Sequence, residues 1–149
     1  MQRRVPRRPR AAAAVAVVLA LSIGSGACAS GASIAKPDFL NRGNAMCQQG
    51  STEWDALVKK LPTSSVAARE DYVKKKLAPL LSNVVNGLRS LGHPSGDGDY
   101  LESIYADADR EIAQLVDKPS TNLQARIDAP FASPAPRFES YGLDRCAEL

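Results

Sequence analysis

Residues 66–91 read VAAREDYVKKKLAPLLSNVVNGLRSL, and the spacing of their apolar members decides the fold class. Val66, Val73, Leu77, Leu80/Leu81, Val84/Val85, Leu88 and Leu91 recur at intervals close to the helical period, which marks one face of an α-helix. Pro79 falls inside the run. Its ring removes a backbone donor and crowds the carbonyl four residues back. The stripe nevertheless stays in phase on both sides, so the sequence predicts one kinked helix and not two. Thr63, Ser64 and Ser65 offer caps ahead of it. Gly92-His93-Pro94-Ser95-Gly96-Asp97-Gly98 then reads as a loop.

The segments on either side repeat the pattern. Upstream, Asp38 to Leu61 places Phe39, Gly43, Met46/Cys47, Gly50, Trp54, Leu57/Val58 and Leu61 on one helical face, and Pro62 ends it. Gly43 and Gly50 each lower helix propensity by about 1 kcal/mol relative to Ala. Lying on the apolar stripe, they predict close contact with a neighbouring helix. Downstream, Asp99 and Glu102 resemble a capping box. They lead into Leu101, Ile104/Tyr105, Ala108, Ile112 and Leu115/Val116, before Pro119. Thr121 and Gln124 repeat the capping pattern ahead of a short piece with Leu123 and Ile127. The tail holds Pro130, Pro134 and Pro136, so it cannot be one regular helix. A last turn or two is expected from Pro136 to Tyr141, closed by Gly142 with Leu143 folding back. No segment alternates like a strand. The expected fold is all-α: an antiparallel bundle of three long helices plus a short C-terminal helical piece.

The first 28 residues belong to a different chemistry. Arg3, Arg4, Arg7, Arg8 and Arg10 precede the uncharged run AAAAVAVVLALSI at 11–23, and small residues follow to Ala35. This is the order of a secretory signal peptide. A permanent transmembrane anchor needs about 20 apolar residues, and this run dissolves into Gly and Ser well before that. The leader also explains the basic balance. The chain has 19 Lys+Arg against 16 Asp+Glu; without the five leader arginines the counts are 14 and 16, a net of −2. A nucleic-acid face is therefore set aside.

Two cleavages fit the end of the leader. Ser25-Gly26-Ala27 before Cys28 resembles a relaxed lipobox, in which Cys28 becomes the first residue and carries the lipid; the Leu usual three residues before the Cys is Ser25 here. Ala27-Cys28-Ala29 is instead an A-x-A site that would discard Cys28. Cysteine parity does not separate them, because Cys47 and Cys146 remain in both cases. The preferred division is 1–28 export signal, 29–36 short tether and 37–149 helical domain. In an oxidising compartment a Cys47–Cys146 disulfide is the default. There is no C-x-x-C and His93 is the only histidine, so a metal or redox pair is disfavoured.

No reaction is legible. Asp97-Gly98-Asp99 starts like a calcium loop, but Leu101 and Glu102 stand where further ligands are needed, so a turn feeding a helix is expected. Asp107 and Glu111 share a helical face while Asp109 does not, and Arg110 intervenes; the expectation is a solvated face. Lys74-Lys75-Lys76 reads as surface charge, with contact to anionic headgroups the alternative. No hydrolase, phosphate-loop or zinc motif occurs, and no cofactor is implied.

Phe39, Asn44-Ala45-Met46-Cys47, Phe131 and Tyr141-Gly142-Leu143-Asp144-Arg145-Cys146 together resemble a group of small exported helical proteins of actinobacteria, many of them lipoproteins of unknown function. A typical ending in that group is D-P-F-x-x-A followed by Y-G-L-x-x-C. This chain departs from it with Asp128-Ala129-Pro130-Phe131 and two further prolines. The resemblance implies the Cys47–Cys146 bridge and a cell-envelope location, and no activity. The expectation is a lipid-anchored protein on the outer face of the cytoplasmic membrane that binds an envelope protein, lipid or wall component. A secreted carrier of a small apolar ligand and a small enzyme with an unfamiliar site are the alternatives.

Overall fold

A computed structural model describes residues 33–149, and every regular element among them is helical. The expected export signal at 1–28, Cys28 included, lies outside the described residues. The first helix, α1, spans Lys36–Val58 with Pro37 in its first turn, where a missing N–H costs nothing. It buries Phe39, Gly43, Cys47, Gly50 and Trp54, the expected stripe. A Cβ added at Gly43 would lie 2.7 Å from Leu143 Cδ2 and 3.2 Å from Leu88 Cδ2; one at Gly50 would lie 2.6 Å from Val84 Cγ2. Both glycines do permit close approach.

The Gly50 contact yields a prediction. Val84 is β-branched and stiff at χ1, so it cannot swing aside cheaply. At 2.6 Å from a stiff side chain the overpacking cost falls in the upper part of its usual range, about 2–3 kcal/mol, against about 1 kcal/mol gained in helix propensity. Gly50→Ala is therefore expected to lower stability by about 1–2 kcal/mol in urea unfolding. Unchanged or raised stability would show that the α1–α3 contact is looser than described.

Helix α2 covers Val66–Tyr72, and Ser65 Oγ accepts the Ala68 N–H at 3.1 Å, the expected cap. Val66 itself is 53% exposed, so the buried stripe starts at Val73. The kink expected at Pro79 takes another form. Residues Val73–Leu77 make a π turn, in which Ala78 N–H reaches back to the Val73 carbonyl, and α3 continues as Ala78–Ser90. Widening the turn just before the proline gives its ring room without ending the helical path. Val73, Leu77, Ala78, Leu81, Val84, Val85 and Leu88 keep one buried face through it.

Helix α4, Gly98–Asp117, buries Leu101, Ile104, Tyr105, Ala108, Ile112 and Leu115. Its expected capping box does not form: Asp97 holds the N-cap position, and no side chain caps the helix. The Thr121/Gln124 cap fails too. Asn122, in left-handed backbone (φ 51°), precedes α5 (Leu123–Asp128), and Gln124 Nε2 donates instead to Asp128 Oδ1 at 2.8 Å.

After α5 the tail folds as two further short helices, α6 (Ala135–Tyr141) and α7 (Asp144–Ala147). Gly142 closes α6 with φ 97°. Its N–H donates to the Glu139 carbonyl and Leu143 N–H donates to the Phe138 carbonyl, both at 2.9 Å, which is the Schellman pattern. Helix α1 packs on α3 and α7, α3 on α4, and α6 on α7 around one apolar core.

Candidate functional site

The most constructed feature is the joint between α1 and the C-terminal turn. Cys47 and Cys146 are bonded with their Cα atoms 4.9 Å apart and a sequence separation of 99, and both are fully buried. Asn44 lies one turn before Cys47, so helical geometry sets both side chains toward the same neighbour. Its Nδ2 donates to the Gly142 carbonyl at 2.9 Å, and its Oδ1 accepts the Arg145 N–H at 3.0 Å. One carboxamide thus satisfies a backbone acceptor and a backbone donor across the turn. With Leu143 seated over Gly43, α1 holds the tail through packing, hydrogen bonds and a covalent bond. Asn44 stood in the sequence only as part of a motif; its role depends on partners about a hundred residues away.

A second cluster joins the starts of α1 and α4 to α6. Tyr141 Oη donates to Asp97 Oδ2 at 2.6 Å, and Lys36 Nζ lies 3.2 Å from the same oxygen and 4.2 Å from the Tyr141 ring centre. The Tyr141 hydrogen bond, then Lys36, hold the Asp97 carboxyl below its usual range. Burial and the Asp97 hydrogen bond push the Tyr141 hydroxyl up. Farther along, Arg137 bonds Asp107 and the Ser103 carbonyl, and Arg110 pairs with Asp107 as well. The Asp107 side chain is only 15% exposed, which corrects the expected solvated face. Arg89 bridges Glu102 at 3.1 Å and Asp109 at 2.7 Å with its guanidinium over the Tyr105 ring. His93 packs on Gly98, with its Nε2 3.9 Å from Glu102. These contacts neutralise acids and tie loops to helices.

Tyr105 stands apart from these contacts. It is fully buried, its hydroxyl has no hydrogen-bond partner among the described residues, and burial pushes its pKa up, so that it stays protonated. An unsatisfied buried group costs about 1–3 kcal/mol. Tyr105→Phe is therefore expected to leave stability unchanged or raise it by about 1 kcal/mol, and a clear loss would mean that a partner exists. The pH dependence follows from the same residues. With raised folded-state values, Tyr105 and Tyr141 favour the folded state fully below the ordinary tyrosine value near 10, and that advantage is lost as pH rises beyond it. Thermal midpoints are expected to fall above about pH 10, and to fall less in the Tyr105→Phe protein.

Two surface hollows complete the picture. One, of about 180 Å³, lies between α1 and α3 with Met46, Gly50, Leu80, Val84 and Gly87 as its apolar wall. Gln49, Glu53 and Asn83 line it as well. The other, of about 310 Å³, is bordered by Trp54, Asp55, Asp128 and Glu148. Among the described residues no group of three or more His, Cys, Asp or Glu is placed to hold a metal ion, and no helix is long and apolar enough to cross a membrane. Compared with known proteins, the chain matches no family model, no curated protein and no solved structure.

Proposed function

We propose that this chain is an exported protein of the cell envelope, tethered to the outer face of the cytoplasmic membrane by a lipid on Cys28, which acts by binding and not by catalysis. The observation that carries the reading is the Cys47–Cys146 bridge. A bond that closes nearly the whole folded region is sustained by an oxidising compartment, which the arginine-led apolar leader would reach. The resemblance to small exported lipoproteins of actinobacteria belongs to the same proposal.

We further read the architecture as an antiparallel bundle of α1, the α2–α3 rod and α4, with the C-terminal pieces folded back on it. The end-to-end bonds support this. Ile34 N–H donates to the His93 carbonyl beside the start of α1, Tyr72 Oη donates to the Leu57 carbonyl near its end, and Ser120 Oγ reaches Glu70 Oε1 where α4 finishes. Such a bundle offers partners an exterior surface, and the apolar wall between α1 and α3 suits a side chain or short apolar segment better than it suits activation of a nucleophile.

Intact mass and N-terminal sequencing of the mature protein from its host test the tether. A start at Cys28 with added diacylglycerol mass is the expected result. A start at Ser30 would leave a secreted protein and remove the membrane from the proposal.

A further inference from the structure

Charge is segregated along the bundle even though the exported part is nearly neutral overall. Residues 59–76 carry Lys59, Lys60, Arg69, Lys74, Lys75 and Lys76 against Glu70 and Asp71, a net of +4. Residues 97–111 carry six acids against Arg110 alone, a net of −5. The acidic run begins beside the start of α1, where Lys36 reaches Asp97 at 3.2 Å. The basic run lies at the other end of α1, where Tyr72 Oη bonds the Leu57 carbonyl at 3.0 Å. With 23 residues in α1, the two ends are about 34 Å apart.

Pairing differs as well: outside the basic run most of the described cations are ion-paired, Arg42, Lys118 and Arg126 being the exceptions. Lys36, Arg89, Arg110, Arg137 and Arg145 each meet an acid of the chain. In the basic run Lys75 pairs with Asp71 at 2.7 Å, and Glu70 accepts from Ser120 Oγ at the same distance. Lys59, Lys60, Lys74 and Lys76 are exposed and make no ion pair among the described residues. The π turn presents three of the lysines together. Val73 and Leu77 are buried on either side, and the three residues between them all face solvent.

We propose that this basic pole binds a linear polyanion, namely a phosphate-bearing polymer of the envelope. Lysine ammonium groups serve phosphate as point charges, and several unpaired ones at one pole reinforce each other through release of counterions. The choice of a polymer over the headgroups of the protein's own membrane rests on the tether proposed above. That tether joins the bilayer to the start of α1, and about 34 Å exceeds several screening lengths of 8–10 Å at physiological salt. Binding at the pole does not itself require the lipid.

The test uses the mature protein, freed of its arginine leader and held in neutral detergent, titrated with long-chain polyphosphate between about 50 and 200 mM salt. Binding is expected to weaken as salt rises, and K74E/K76E is expected to lose about tenfold in affinity with a shallower salt dependence. R42E/R145E changes net charge by the same amount away from the pole and is expected to lose about threefold or less. Circular dichroism checks that both variants fold. No binding by the unaltered protein at about 50 mM salt, or equal losses in the two variants, would overturn the proposal. An equally large K74E/K76E loss on phosphatidylglycerol–phosphatidylcholine vesicles would make the pole a membrane contact and overturn the polymer. Intact mass of the same sample reports the lipid on Cys28 separately, so a missing tether and a missing polyanion site are told apart.

Discussion

Replacing Cys47 and Cys146 together by alanine is expected to lower the unfolding free energy by about 4–5 kcal/mol. The bond joins residues 99 apart, and for a loop of that length the chain-entropy treatment assigns about 4.7 kcal/mol to the freedom withheld from the unfolded chain. Domains of this kind have about 5–15 kcal/mol in total, so loss of the bridge removes a third or more. The folded state should keep its shape at low denaturant, because Asn44 and Leu143 still hold the tail to α1. Urea unfolding with and without reductant measures the difference. A change below about 1 kcal/mol would mean that those other contacts restrain the tail in the unfolded ensemble too, or that the bridge strains the native state.

The second large effect is expected at Trp54, which is 4% exposed and donates its indole Nε1–H to the Ile127 carbonyl at 3.0 Å. The residue therefore does two things: it fills the core beneath the far half of α1, and it fastens the end of α5. Trp54→Ala is expected to cost about 3–5 kcal/mol, the range for deleting a large buried aromatic. Trp54→Phe keeps most of the apolar volume and loses the donor, at an expected cost of about 1–2 kcal/mol. The separation between the two variants is the informative quantity. If both cost the same, packing contributes little and the hydrogen bond to α5 carries the effect. With the disulfide also removed, the Trp54→Ala protein is expected to be largely unfolded at room temperature.

How much of this was legible in the sequence depended on how far apart the interacting residues lie. The stripes of α1, α3 and α4 were readable because burial on one helical face imposes a local period. Gly43 and Gly50 were readable as contact points because a residue that weakens a helix needs a reason to sit on its apolar stripe. The close of α6 at Gly142 was readable because only glycine takes left-handed backbone without cost. Local rules failed where tertiary partners outbid them. Asp97 stands at the start of α4, yet its carboxylate meets Tyr141 and Lys36 instead of capping the helix. Asp107 looked like an exposed helical acid until Arg137, thirty residues later, came to cover it.

The sequence by itself determined the helical class and the helical faces that are buried, and it singled out Cys47 and Cys146 as the thiols to pair, because each is written in local spacing or in composition. Tertiary structure decided how Pro79 is absorbed, as a π turn instead of a break. It also decided which cations are neutralised and which stand free. Charge pairing is a property of distance in space, and its longest-range pairs, Arg137 with Asp107 and Lys36 with Asp97, meet only after the core has closed around them.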